Sequence, residues 1–178
     1  MGGTPRLVSL FRRRWAVPVI VELRRLRGAK FVTLAASLSV SRDTLSRTLS
    51  FLRDQGWVRR NPGYGHPMRP EYLLTRAGAR IAPACARLLA ALRALGVEEI
   101  ALRRWSLPVA AALRAGARRF NEVKAGLPGV SARALTLSLK GLQAAGLVER
   151  TVEEGWPPRA AYSATPRARR LAPLLARL

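Results

Sequence analysis

Apolar positions along this chain recur at helical spacing, give way to a short alternating stretch, and then resume, and the whole succession occurs twice. In residues 6–27, Leu7, Val8, Phe11, Trp15, Val19, Ile20, Leu23 and Leu26 fall at helical intervals, with Trp15 expected on the buried stripe. Pro18 interrupts them, which predicts two helices or one kinked helix, ended by Gly28. Phe31 opens a short helix that ends near Leu38. Ser41 is placed to cap the next one, where Leu45, Leu49 and Leu52 stand at i, i+4 and i+7 as a single buried stripe and Gly56 supplies the stop. Residues 57–60 and 71–74 read as two strands around a loop, residues 61–67, rich in turn formers. Thr75 then caps a helix running to about Leu95.

The same order returns 90 residues later. Trp15-Ala16-Val17-Pro18-Val19 reappears as Trp105-Ser106-Leu107-Pro108-Val109, and Tyr72-Leu73-Leu74-Thr75 as Tyr162-Ser163-Ala164-Thr165. Leu45, Leu49, Leu52, Gly56, Val58 and Arg60 return as Leu135, Leu139, Leu142, Gly146, Val148 and Arg150. In this second copy residues 120–125 are the short helix, Ser131 is the cap, residues 147–151 and 160–163 are the strands, and Thr165-Pro166 is a cap followed by proline at the first helical position. That many coincidences in one register mark an internal repeat. The expected fold is mainly α with small β-hairpin wings: two tandem winged helix-turn-helix domains, residues 1–95 and 96–178. The joint at residues 96–99 is short and has no flexible Ser/Gly linker, so the modules are expected to pack together.

Charge narrows the function. The 178 residues carry 32 basic and 10 acidic groups, a formal net charge of +22, beside a hydrophobic fraction of 49% that is enough to fold. The first repeat holds 18 basic and 4 acidic residues and the second 14 and 6, so both halves are basic. Only Lys30, Lys124 and Lys140 are lysines; a GC-rich coding bias would favour arginine in this way but would not suppress Asp and Glu. The charge therefore points to a polyanionic partner. The single cysteine, Cys85, sits among apolar residues and excludes an internal disulfide and a multi-cysteine metal site. There is no apolar run of membrane-spanning length and no secretory or lipidation signal, so a cytoplasmic, nucleoid-associated protein with no membrane partner is expected.

A short helix, a tight turn and a capped second helix can place the second helix in a major groove, with the hairpin beside it. The face opposite the Leu45 stripe carries Arg42, Asp43, Ser46, Arg47 and Ser50, groups able to contact base edges or phosphates. Ser41 fits a cap better than a base contact, although it stands at the helix end nearest the DNA. Asp43 either orients Arg42 or Arg47 or complements the helix dipole. Arg59, Arg60 and Arg69 lie on the hairpin, with Tyr64 and His66 at its tip. The matching candidates in the second copy are Ser131, Arg133, Thr136, Lys140, Arg150 and Arg159. No cofactor or metal is expected: the sequence has no glycine-rich phosphate loop, no metal-ligand cluster, no useful carboxylate pair and no nucleophile with a histidine partner, which argues against an enzyme.

Arg118-Arg119-Phe120-Asn121-Glu122-Val123, Leu127-Pro128-Gly129-Val130-Ser131, Leu142 to Arg150 and Pro157 to Thr165 closely resemble the HxlR-type winged-helix regulators, relatives of the MarR group. The resemblance spans residues 103–178; the first repeat matches more loosely, at Trp15, Phe31, Val40-Ser41, Gly56-Trp57-Val58 and residues 69–75. It implies a double-stranded-DNA-binding repressor or activator, in a family whose chains normally carry one winged helix and pair as homodimers. Two copies in one chain could make a monomeric pseudo-dimer, or two chains could pair as a homodimer. Arg47 keeps the family's arginine in the middle of the recognition helix, whereas the second copy has Leu137 and Ser138 there. Leu137 could touch a thymine methyl or another protein surface. Some members carry a redox-sensing cysteine near the N-terminus; this chain has none there. The competing reading is an architectural or replication-associated winged-helix protein that binds DNA without sequence preference or mediates protein contacts.

Overall fold

The computed structural model describes residues 3–61, 71–154, 156 and 158–178. Its described residues are mostly helical, with small antiparallel β-hairpins, and they form two compact units. One is Arg13–Leu89; the other combines Met1–Arg12 with Ala90–Leu178.

The first unit opens with α2 (Ala16–Leu26), preceded in the chain by α1 (Gly3–Leu10) of the other unit. The stretch containing Pro18 is thus two helices, but the break falls at residues 11–15 and not at the proline. Pro18 is the third residue of α2, where a backbone N–H would have no helical acceptor, so its ring costs the helix nothing. A two-residue strand β1 (Ala29–Lys30) leads into α3 (Phe31–Leu38). Ser39, in the left-handed region at φ 50°, ends α3 and turns the chain into α4 (Arg42–Asp54). Gly56, at φ 68°, terminates α4, and Trp57 N–H reaches back to the Leu52 carbonyl. Strands β2 (Val58–Asn61) and β3 (Glu71–Leu74) follow, and then α5 (Arg76–Ala94), whose residues from Ala90 onward belong to the other unit.

Leu45, Leu49 and Leu52 are fully buried, as are Val17, Ile20 and Leu23 of α2, Leu34 of α3 and Val58 of β2, the elements against which α4 packs. The leucine stripe is therefore what orients α4, turning its polar face to solvent. The hairpin is part of a three-stranded sheet in the order β1-β3-β2, where Ala29 pairs with Tyr72 and Lys30 with Glu71. Sequence patterning gave only the two hairpin strands, because two residues are too few to show alternation. Trp15 is half-buried and not a core residue, with the Arg14 guanidinium 5.8 Å from its ring centre. Its repeat partner Trp105 is buried, with Arg104 at 4.9 Å.

In the second unit α1 packs on α7 (Ser106–Arg114), which follows the single turn α6 (Glu98–Ala101). Then come α8 (Phe120–Ala125), α9 (Ala132–Ala144), the hairpin of β4 (Val148–Glu153) and β5 (Arg159–Ala164), and two single turns, α10 (Pro166–Arg169) and α11 (Ala172–Leu175). Leu135, Leu139 and Leu142 of α9 bury against α7, whose Leu107 and Val109 are fully enclosed. Gly141 admits Ile100 of α6 so closely that an added Cβ would stand 3.1 Å from its Cδ1.

One latch occurs in both units. The Thr75 hydroxyl donates to the Gly56 carbonyl at 2.6 Å and accepts from Gly78 N–H at 3.1 Å. Thr165 does the same with Gly146 at 2.9 Å and Ala168 N–H at 3.2 Å. Each threonine thus caps the helix after the hairpin and ties it to the end of the helix before it. Thr165 is buried, so Thr165→Val leaves a carbonyl and an N–H without partners and should cost about 1–2 kcal/mol. A lowered urea midpoint at unchanged slope is the expected signature.

Candidate nucleic-acid interface

In the first unit the turn at Ser39 and the cap at Ser41 set the start of α4. Ser41 Oγ accepts from Thr44 N–H at 3.4 Å and donates to Thr44 Oγ1 at 2.9 Å, so its hydroxyl is engaged in the cap. Thr48, buried and unremarked in the sequence, donates to the Thr44 carbonyl at 2.8 Å and supports the same turn. Arg42, Asp43, Ser46, Arg47 and Ser50 are exposed, as the complement of a buried leucine stripe must be.

Asp43 and Arg47 are one helical turn apart, and Arg47 Nε donates to Asp43 Oδ1 at 3.0 Å. Both side chains are about two-thirds exposed, so the pair contributes little to stability. Its effect is geometric: with Nε engaged, the two terminal nitrogens of the guanidinium remain as a paired donor edge of the kind that fits guanine O6 and N7. Of the two roles open to Asp43, the structure shows it bonded to Arg47.

Arg59 and Arg60 are exposed on β2. Arg60 pairs across the ladder with Tyr72, as Arg150 does with Tyr162. Arg69, Tyr64 and His66 lie outside the described residues.

In the second unit Glu122 accepts from the backbone N–H groups of Arg118 and Arg119 at 2.8 and 3.0 Å, fixing the start of α8. Those two donors hold its carboxyl below the usual carboxylate range. Ser131 caps α9 by accepting from Ala134 N–H at 3.1 Å. Arg133, Thr136 and Lys140 are exposed along α9, and Arg150 and Arg159 along the hairpin. This hairpin differs in charge from the first. Glu149, Glu153 and Glu154 are exposed on it, and Glu153 pairs with Arg119 at 3.3 Å. Val152 is exposed, and Trp156, near the tip, is 97% exposed. The exposure of Trp156 has no periodic signal in the sequence.

Arg167 was also missed: its guanidinium donates to the Ala145 carbonyl at 3.1 Å and to the Leu95 carbonyl, joining the C-terminal ends of α9 and α5. It borders an open cleft of about 540 Å³ with Glu99 and Arg103, which pair at 3.5 Å. Among the described residues there is no cluster of metal-ligating side chains and no helix long and apolar enough to cross a membrane.

Cys85 is fully buried, and that burial pushes its thiol up to about 12. Iodoacetamide at pH 8 should leave the native protein unmodified and alkylate Cys85 only after unfolding; rapid native labelling would contradict this burial.

Residues 100–178 match the family model described as HxlR-like helix-turn-helix, and residues 7–95 match the model described as HVO_A0261 N-terminal domain. The HTH-type transcriptional regulator YvaP of Bacillus subtilis is 39% identical over 77 residues, 43% of this chain and 71% of that protein. The regulator sll1512 of Synechocystis is 38% identical over 79 residues, 44% of this chain and 58% of that protein. Among solved structures, diamide-treated YodB from B. subtilis aligns with a TM-score of 0.42 and 26% identity, covering 47% of this chain and 80% of that one. Through its second half the chain belongs to the HxlR-like helix-turn-helix family of transcriptional regulators, and that half follows a match to the HVO_A0261 N-terminal domain in the same chain.

Proposed function

We propose that this protein regulates transcription by binding double-stranded DNA in a sequence-specific manner, with two winged helix-turn-helix modules, residues 1–95 and 96–178, in one chain. The observation that carries the reading is Arg47: it is exposed on the capped α4, braced by Asp43 at 3.0 Å, and accompanied by the exposed arginines of the adjoining hairpin, Arg59 and Arg60. A surface pair of this kind adds almost nothing to folding, so its use lies in what the arginine touches. The contact set is Arg42, Asp43, Ser46, Arg47, Arg59, Arg60 and Arg69 in the first module, and Arg133, Thr136, Lys140, Arg150 and Arg159 in the second. Ser41 and Ser131 hold the helix starts in place. The protein acts on the chromosome in the cytoplasm, either as a monomeric pseudo-dimer or as a homodimer, and needs no cofactor.

Selection of bound duplexes from a random pool, followed by the mass of the complex, tests this. A recurrent sequence bound by one chain supports the pseudo-dimer, and a palindrome bound by two supports the homodimer. On the selected site Arg47→Ala should cost about 1–3 kcal/mol and relax one position. Equal affinity for selected and random duplexes would assign the chain to the architectural class instead.

A further inference from the structure

Helices α4 and α9 differ at corresponding positions of their exposed faces. Where α4 carries Arg47, α9 carries Leu137, 90 residues on. Leu137 is 61% exposed, while Leu135, Leu139 and Leu142 of the same helix are buried, so it is not part of the core stripe. Beside it, Thr136 donates its hydroxyl to the Ala132 carbonyl at 2.9 Å. With that proton committed to the helix, Thr136 can offer a partner only its methyl group and an oxygen lone pair. Arg133 and Lys140, both exposed, lie one turn from these positions on either side. The result is a small apolar spot on a cationic helix.

The size of that spot selects its partner. Leu137 is the one large exposed hydrophobic side chain on the described face of α9, far short of the several hundred Å² that mark a protein-docking patch. In the major groove, by contrast, an apolar feature of methyl size exists, and among the four bases only thymine presents it. Phosphate contacts from Arg133 and Lys140 at either side would fix register and carry no base identity. We infer that Leu137, with the Thr136 methyl beside it, reads a thymine 5-methyl group, so that α9 specifies a T·A pair where α4 specifies a G·C pair. This inference rests on the DNA-binding function proposed above and assigns the second module a reading role of its own.

The test uses the whole chain and its selected duplex. Each thymine in the site is replaced in turn by deoxyuridine, which keeps the hydrogen-bonding groups and removes only the methyl. At one or two positions the wild type should lose about fourfold in affinity per methyl, the effect of one buried carbon. Leu137→Ala should bind the thymine site several-fold more weakly and be indifferent to deoxyuridine at those positions, while still requiring the guanine assigned to Arg47. Because Leu137 is exposed, the variant keeps its fold, which an unchanged thermal midpoint checks. Leu137→Arg should exchange the thymine for guanine in a repeated selection. A guanine-containing consensus without any methyl-sensitive thymine overturns this inference and leaves the proposed function standing. So do equal deoxyuridine penalties for wild type and Leu137→Ala. The lack of any consensus overturns both.

Discussion

Raising salt from 50 to 200 mM should weaken binding of this protein to its duplex by about a thousandfold. Eight described cations stand on the proposed contact faces: Arg42, Arg47, Arg59, Arg60, Arg133, Lys140, Arg150 and Arg159, all of them exposed. Each phosphate neutralised releases condensed counterions and contributes about 0.9 to the slope of log K against log salt. With about six of these groups on phosphates the slope is about −5, which over a fourfold change in salt gives the stated loss. Anisotropy titrations at four or five salt concentrations read the slope directly. Arg60→Ala should make it shallower by about one while leaving sequence preference unchanged. A wild-type slope shallower than about −2 would remove most of these residues from the interface. The acid-bearing second hairpin makes a further distinction: Arg150 and Arg159, with Glu149, Glu153 and Glu154 around them, should affect the slope less than Arg59 and Arg60 do.

Gly78→Ala is expected to be the most damaging small substitution in the first unit. A Cβ built at Gly78 would lie 2.0 Å from the Trp57 carbonyl oxygen and 3.0 Å from its carbon, both of them backbone atoms. Trp57 has no freedom to retreat. Its N–H is bonded to the Leu52 carbonyl and its carbonyl accepts from Thr75 N–H at 3.0 Å, so moving it disturbs the end of α4 and the start of α5 together. The expected cost is about 3 kcal/mol or more, above the usual range for overpacking because no flexible side chain can absorb the clash. For a unit of this size that lowers the thermal midpoint by roughly 12–24 °C. The corresponding residue of the second unit, Ala168, already has a Cβ, is buried, and keeps the bond from its N–H to the preceding threonine. Ala168→Gly should therefore be mild, at about 1 kcal/mol. Scanning calorimetry of the two variants tests both statements, and a Gly78→Ala midpoint within a few degrees of wild type would mean that the helix and the strand can separate without loss.

What could be read from the sequence was local and periodic. The Leu45 and Leu135 stripes, the serine caps and the glycine stops each state their position through spacing, and the structure has the helices there. The exposed face of α4 followed as the complement of its stripe, and the Asp43–Arg47 bond was one of the arrangements that a separation of four residues permits. What remained hidden was non-local. Strand β1 exists only because Ala29 and Lys30 align with Tyr72 and Glu71, and nothing in a two-residue stretch announces a partner more than 40 positions away. The break before α2 falls at residues 11–15 and not at the visible proline, because a proline in the first turn gives up no hydrogen bond. Arg167 reads as one more surface arginine until the carbonyls of Leu95 and Ala145 are found beside it.

The threonine latch has a consequence for how such a chain diversifies. Each hairpin is pinned at its root by a bond from the residue that follows it to the glycine just before it, Thr75 to Gly56 and Thr165 to Gly146. With the root fixed in this way, the exposed positions of the described strands are open to substitution, apart from Glu153, which pairs with Arg119. The second copy adds Glu149, Glu153, Glu154 and a bare Trp156 to its arginines, which the first copy lacks at the corresponding described positions, yet the mounting is alike. Mutation can thus change the charge a hairpin presents without disturbing the helices at its two ends.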